Sequence, residues 1–139
     1  MRKTIIIFLG IIISWLCSLE CLSSTRQKGL ESKDLGEFVV TFYDNCKLCC
    51  LKDESHPAYG ITASGELARP GHIACNWLPF GTVLKIEGLG VFTVKDRGAK
   101  SLFGTPKNPI KHVDVWVSSH VEARKLGKQI RRVTLLGIN

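Results

Sequence analysis

From residue 37 onward the chain alternates short apolar runs with stretches rich in glycine, proline and polar residues. Phe38-Val39-Val40-Thr41-Phe42-Tyr43 combines β-branched and aromatic side chains and predicts a strand. Further strands are expected at 72–75, 82–87, 91–95, 112–117 and 130–136. Gly88-Leu89-Gly90 joins the third to the fourth by a connection of hairpin type. The fifth alternates cleanly, with His112, Asp114 and Trp116 on one side and Val113, Val115 and Val117 on the other. Ser119-His120-Val121-Glu122 reads as a capping box, Ser119 as N-cap and Glu122 reaching back. It opens a helix of about two turns, which Gly127 ends. Two long irregular stretches interrupt the pattern, from Asp44 to Gly71 and from Asp96 to Lys111. Loops of that length in a compact domain usually carry function. Six short strands with one short helix bury their apolar faces most economically by closing into a small barrel, with the two long loops at its rim forming a groove.

The pattern before residue 37 is of another kind. Arg2-Lys3 precedes Thr4 to Leu19, a run without charge that Glu20 closes. A short basic region and an apolar run of this length read as a secretory signal. An uncleaved membrane anchor is the alternative, although the run is shorter than the roughly 20 residues of a typical span. Residues 1–23 are therefore expected to direct export to the cell envelope or beyond, and 24–36, polar and aperiodic, to tether the domain at 37–139. Any membrane contact would run through the N-terminal segment alone.

Charge and cysteine content narrow the partners. The formal net charge is +7, and residues 1–23 contribute little of it through Arg2, Lys3 and Glu20. The surplus suits an anionic partner such as a cell-wall polymer. The basic residues are scattered, with no stripe of interleaved aromatics, which argues against nucleic acid. In an oxidising compartment Cys46, Cys49, Cys50 and Cys75 are candidates for disulfides, with a bond from Cys75 back to the Cys46–Cys50 cluster as one arrangement. The Cys46-x-x-Cys49 spacing also fits metal ligation, completed by Cys50, Cys75, His56 or His72, and free thiols are the third alternative. Disulfides are the favoured reading, and neither a resident metal nor a cofactor is expected.

The chain has no Ser-x-x-Lys, Gly-x-Ser-x-Gly, phosphate-loop or His-Glu-x-x-His motif. Two aspartates stand out instead: Asp96 at a strand end and Asp114 in mid-strand between valines. A carboxyl group on a strand whose other face is core is partly desolvated, and a second carboxylate nearby raises one of the two pKa values further. Such a group can hold a proton near neutral pH and deliver it to a glycosidic oxygen. A solvated Asp114 and a turn-capping Asp96 are the plainer alternative. Thr62 and Ser64, in a glycine-flanked loop, are candidates to hydrogen-bond sugar hydroxyls or simply to form the turn. Tyr43 or Trp77 can stack on a sugar ring or pack at the rim.

Tyr59-Gly60-Ile61-Thr62-Ala63-Ser64-Gly65, Ile73-Ala74-Cys75-Asn76-Trp77-Leu78-Pro79-Phe80-Gly81-Thr82, Val94-Lys95-Asp96-Arg97-Gly98 and His112-Val113-Asp114-Val115-Trp116 follow one another in this order, and Ser119-His120-Val121-Glu122-Ala123 with Gly127 completes the series. Over about residues 38–136 the chain thereby resembles the three-aspartate domain. That domain is the catalytic barrel of the membrane-bound lytic transglycosylase A family and of stationary-phase muralytic factors. More distantly the chain resembles rare-lipoprotein-A-like barrels.

The resemblance implies a mainly β fold, a six-stranded double-psi β-barrel with one short helix. It further implies a peptidoglycan lytic transglycosylase, cleaving the bond between N-acetylmuramic acid and N-acetylglucosamine and closing a 1,6-anhydro ring. Asp114 matches the family's acid/base and Asp96 its second aspartate. The third aspartate falls at or next to Asn76, here an amide, which the resemblance places as a sugar-binding or aspartate-binding group. The implied partner is the glycan strand of peptidoglycan, acted on by a monomer. The alternative function is a barrel that holds glycan without cutting it.

Overall fold

The computed structural model describes residues 32–139, and the expected export segment and most of the expected linker lie outside them. Six strands are present: β1 (Lys33–Tyr43), β2 (His72–Ala74), β3 (Thr82–Ile86), β4 (Gly90–Asp96), β5 (His112–Trp116) and β6 (Gln129–Ile138). They close into a barrel in the order β1-β5-β2-β4-β3-β6. Closure gives every strand a neighbour on both sides and leaves no edge for another chain to pair with. Two neighbouring pairs, β1 with β5 and β2 with β4, run parallel, and the others run antiparallel. Each strand lies within a few residues of the sequence expectation. The largest displacement is at the start of β1, where Lys33 already pairs with Leu135. Residues 33–36 thus belong to the barrel instead of the tether.

The interior is filled by alternate residues of these strands. Phe38, Val40, Ile73, Leu84, Ile86, Val94, Val113, Val115 and Val133 form one buried cluster with Cys75. Removing side chains of this size from water is worth about 1.5–3 kcal/mol each. The valines of β5 face inward as the alternation requires, which turns His112, Asp114 and Trp116 toward the long loops. Phe38 and Val40 do the same on β1 and turn Thr41 and Tyr43 outward beside them.

The Leu78-Pro79-Phe80-Gly81-Thr82 segment is dictated locally. Gly81 has φ +84, and a Cβ there would collide with the backbone carbonyl of Asn139, so only glycine fits. Thr82 is fully buried and donates its hydroxyl proton to the Pro79 carbonyl at 2.7 Å. Together they fix the entry to β3 against the C-terminal strand.

Three short helices decorate the barrel: α1 (Lys47–Cys50), α2 (Lys100–Phe103) and α3 (His120–Leu126). The expected α3 has Ser119 as N-cap, accepting from the Glu122 backbone at 3.2 Å, and ends at Gly127 with φ +61. The Glu122 carboxylate departs from the capping box. It accepts from the Ser118 hydroxyl at 3.1 Å instead of returning to the N-cap backbone. The other two helices are single turns inside the long loops, too short to leave a helical period in the sequence.

Candidate active site

The two sequence-predicted aspartates meet through β2. Asp114 on β5 lies opposite Ala74, and Ala74 lies opposite Asp96 on β4. Thr41 on β1 extends the row beyond Asp114. With strands spaced about 4.8 Å apart, the backbones of Asp96 and Asp114 are roughly 10 Å from each other, and only the methyl of Ala74 stands between them. A larger residue at 74 would fill the floor. Above this row the two long loops enclose a cleft of about 570 Å³, lined by Tyr43, Thr62, Ala74, Asp96, Arg97 and Asp114 among others. That volume falls in the range of small-molecule pockets.

The two carboxyl groups have different surroundings. Asp96 is enclosed by donors: Tyr43 donates its hydroxyl to Oδ2 at 2.8 Å, and the backbone N–H groups of Ala63 and Arg97 donate to Oδ1, each at 2.8 Å. Asp114 has one hydroxyl partner, Thr41, at 2.8 Å. Burial pushes the Asp114 carboxyl up to about 6; the Thr41 bond opposes this, and the negative charge of Asp96 adds to it. One carboxyl is an acceptor on both oxygens, and the other is poised to carry a proton. Burial beside Asp96 also drives the Tyr43 hydroxyl far above its ordinary value, so Tyr43 remains a donor.

Thr41 ties Asp114 to a third group. Its Oγ1 lies 2.9 Å from Nε2 of His112, whose Nδ1 lies 3.2 Å from the Leu102 carbonyl. The ring is buried and stacked on Phe103 at 4.2 Å, and burial lowers its pKa, so it is neutral near pH 7. A neutral ring has one N–H. With that proton donated to Leu102, Nε2 and Asp114 Oδ1 share the single Thr41 hydroxyl proton: an ionised Asp114 takes it, and a protonated Asp114 donates to the Thr41 oxygen and frees it for Nε2. The opposite tautomer leaves an Nδ1 lone pair facing the Leu102 carbonyl. The whole chain of hydrogen bonds is satisfied when Asp114 holds a proton. Sequence reasoning misses Thr41 and its link to His112. The available signal is the period of two that sets Thr41 on the same face of β1 as Tyr43.

The remaining candidates are distributed as follows. Thr62 lines the cleft, but its hydroxyl donates to the Glu66 carbonyl at 3.0 Å and lies 3.0 Å from Ser64 Oγ. This pair builds the turn that delivers the Ala63 N–H to Asp96. Ser64 also donates its backbone N–H to the Lys95 carbonyl at 3.0 Å. Trp77 packs on Phe38 at 5.9 Å and donates to the Ile110 carbonyl at 3.0 Å, on the loop side and away from the cleft lining.

Asn76 is not in the cleft lining either. Its amide donates to the carbonyls of Gly98 and Gly104 at 2.9 and 3.0 Å and accepts from the Gly98 N–H at 2.8 Å. It is buried, with both amide protons used, as a staple between the start and the middle of the second long loop. These contacts give Asn76 a scaffold role, tying Gly98 to Gly104.

No disulfide links the described cysteines Cys46, Cys49, Cys50 and Cys75 in this structure. Cys75 belongs to the barrel interior, while the other three sit on the first long loop at α1. Cys50 reaches the cleft, yet burial pushes its thiol up to about 11, with Asp96 contributing, which leaves little thiolate for nucleophilic chemistry. No protein-family model matches this chain, and no curated protein is significantly similar to it.

Proposed function

We propose that this chain is a peptidoglycan lytic transglycosylase with Asp114 as its general acid and base. The observation that carries the proposal is the Asp114 carboxyl raised to about 6 on the floor of an open cleft, two strands from Asp96. The order of the sequence motifs supports the same reading. The mixed closed barrel, with its parallel β1–β5 and β2–β4 pairs, fits a double-psi arrangement. The basic N-terminus followed by an apolar run supports export to the envelope, where the substrate lies.

In this mechanism Asp114 donates its proton to the glycosidic oxygen as the bond to the muramic anomeric carbon breaks, and the N-acetylglucosamine end leaves as an alcohol. The muramic 6-hydroxyl then attacks that carbon and passes its proton back to the Asp114 carboxylate. The 1,6-anhydro ring forms, the enzyme returns to its starting state, and no water is consumed. One carboxyl group suffices, unlike hydrolases that divide acid and base between two. Asp96, held in place by the Tyr43 hydroxyl and the backbone N–H groups of Ala63 and Arg97, stands beside the positive charge that develops on the sugar.

The test is digestion of purified peptidoglycan with the protein, read by mass spectrometry. Products ending in 1,6-anhydromuramic acid are expected, at a rate that falls as pH rises above about 6 and Asp114 loses its proton. Reducing-end products would indicate hydrolysis instead. Binding without any product would leave the glycan-holding barrel.

A further inference from the structure

We propose that Asp44, Cys46, Cys49 and His120 bind a zinc ion. Their ligand atoms all lie within 4.8 Å of one another. The Sγ atoms of Cys46 and Cys49 stand 3.5 and 3.4 Å from His120 Nδ1, and Asp44 Oδ1 stands 3.9 Å from the same nitrogen. Zn–S bonds of about 2.3 Å and Zn–N bonds of about 2.0–2.1 Å in a tetrahedron put sulfur and nitrogen about 3.6 Å apart. The two sulfurs meet that distance already, and Asp44 needs to close by roughly half an ångström to reach a tetrahedral position.

Asp44 Oδ1 accepts from the Cys46 backbone N–H at 3.3 Å, but hydrogen bonding does not account for the crowding at His120 Nδ1. A single ring nitrogen offers one lone pair or one N–H. Here two sulfurs and a carboxylate oxygen converge on Nδ1, more partners than it can serve. A cation at their common centre serves all of them. Two thiolates, one imidazole and one carboxylate, all from the protein, are a ligand set that selects zinc and a closed, structural site.

The scaffold supplies a second, independent argument. Cys46 is the N-cap of α1 and Cys49 lies within it, yet this single turn buries no residue, has no side-chain cap and exposes Leu48 and Leu51. A lone turn with nothing buried is unfavourable by itself. Its exit also requires Leu51 at φ +58, the one left-handed non-glycine among the described residues. An ion tying α1 to Asp44 after β1 and to His120 at the start of α3 gives that turn its reason to form. Cys49, Cys50, Leu51 and Lys52 line the cleft, so the ion would hold one of its walls. Cys50 is outside the ligand set, because its thiol donates to the Asp44 carbonyl at 3.1 Å. The zinc site stands independently of the transglycosylase reading.

The test is metal content of the full chain isolated without reductant or chelator, together with the absorption spectrum after exchange into cobalt. One zinc per chain is expected, retained through dialysis, and cobalt should give intense tetrahedral bands with thiolate charge transfer. Cys46→Ser and His120→Ala should weaken zinc binding by more than the roughly 10–100-fold that a merely supporting residue costs, whereas Cys50→Ser and Cys75→Ser should keep it. Absence of stoichiometric zinc together with a cobalt spectrum lacking thiolate bands would overturn the proposal. A Cys46–Cys49 disulfide in the isolated wild-type protein would overturn it equally.

Discussion

Asp114→Asn is expected to abolish strand cleavage and, at the same time, to make the protein more stable at neutral pH. The first effect follows from removing the proton donor, a loss of at least about 10²–10⁴-fold in rate. The second follows from linkage. The folded-state pKa is raised from 3.8 to about 6, chiefly by burial. Below about pH 4 the carboxyl is protonated in both the folded and unfolded chain and costs nothing. Between about pH 4 and pH 6 the unfolded chain releases its proton while the folded one retains it, and stability falls as pH rises. Above that window the penalty is constant, and a shift of this size corresponds to about 3 kcal/mol. Asparagine keeps the shape and can either accept from Thr41 or donate its amide N–H to it, without the titration. Denaturant unfolding at pH 7.5 should therefore show the variant about 2–3 kcal/mol more stable, and the gap should close near pH 3. A variant that is inactive and also less stable at pH 7.5 would mean that the carboxylate is favourably held, against the assignment. The expected pattern is the usual exchange of stability for function at a strained site.

Asn76→Asp is expected to destabilise the fold strongly and to gain no activity. Sequence resemblance alone would make it the restoration of a missing acid. In the structure the side chain gives two hydrogen bonds to the carbonyls of Gly98 and Gly104 and is buried. A carboxylate has no proton to give and would turn an oxygen toward those carbonyls. Leaving acceptors unmatched beside a buried charge costs about 3–5 kcal/mol, a large part of the roughly 5–15 kcal/mol that holds a domain together. A fall in Tm on the order of 15 °C should follow. Protonating the introduced carboxylate would recover one of the two bonds, so the deficit should shrink at low pH. Unchanged stability with faster product formation would contradict the scaffold role.

The legibility of this chain follows from what each feature depends on. The six strands are readable because alternation at 112–117 and the β-branched runs at 38–43 and 91–95 reflect burial on one face, a property local to each segment. The pairing of Asp96 with Asp114 is expected from family resemblance, and the register through Ala74 supplies its geometry. The contacts of Asn76 with Gly98 and Gly104 are not legible in the sequence, because their positions are set by the second long loop and no local pattern encodes that loop's path. The start of β1 at Lys33 escapes the sequence for a related reason. Lys33, Asp34 and Gly36 are polar or small and take their strand conformation from pairing with β6, across a register shift that Gly36 permits at φ +85. In sequence, His120 is part of a helix start and Asp44 the beginning of a loop. Their meeting at Cys46 and Cys49 depends on β1 and β5 lying side by side in parallel.

The central claim is that one carboxyl in this cleft carries a proton where ordinary aspartates do not. Carbon-13 labelling of the aspartate side chains, followed by NMR from about pH 3 to about pH 9, measures it directly, because that range spans both the ordinary and the raised pKa. One carboxyl resonance should titrate with a midpoint near 6 and be missing from the Asp114→Asn spectrum. If every aspartate titrates at or below about 4, the ordinary range, Asp114 holds no proton near pH 6 and the acid/base account is wrong.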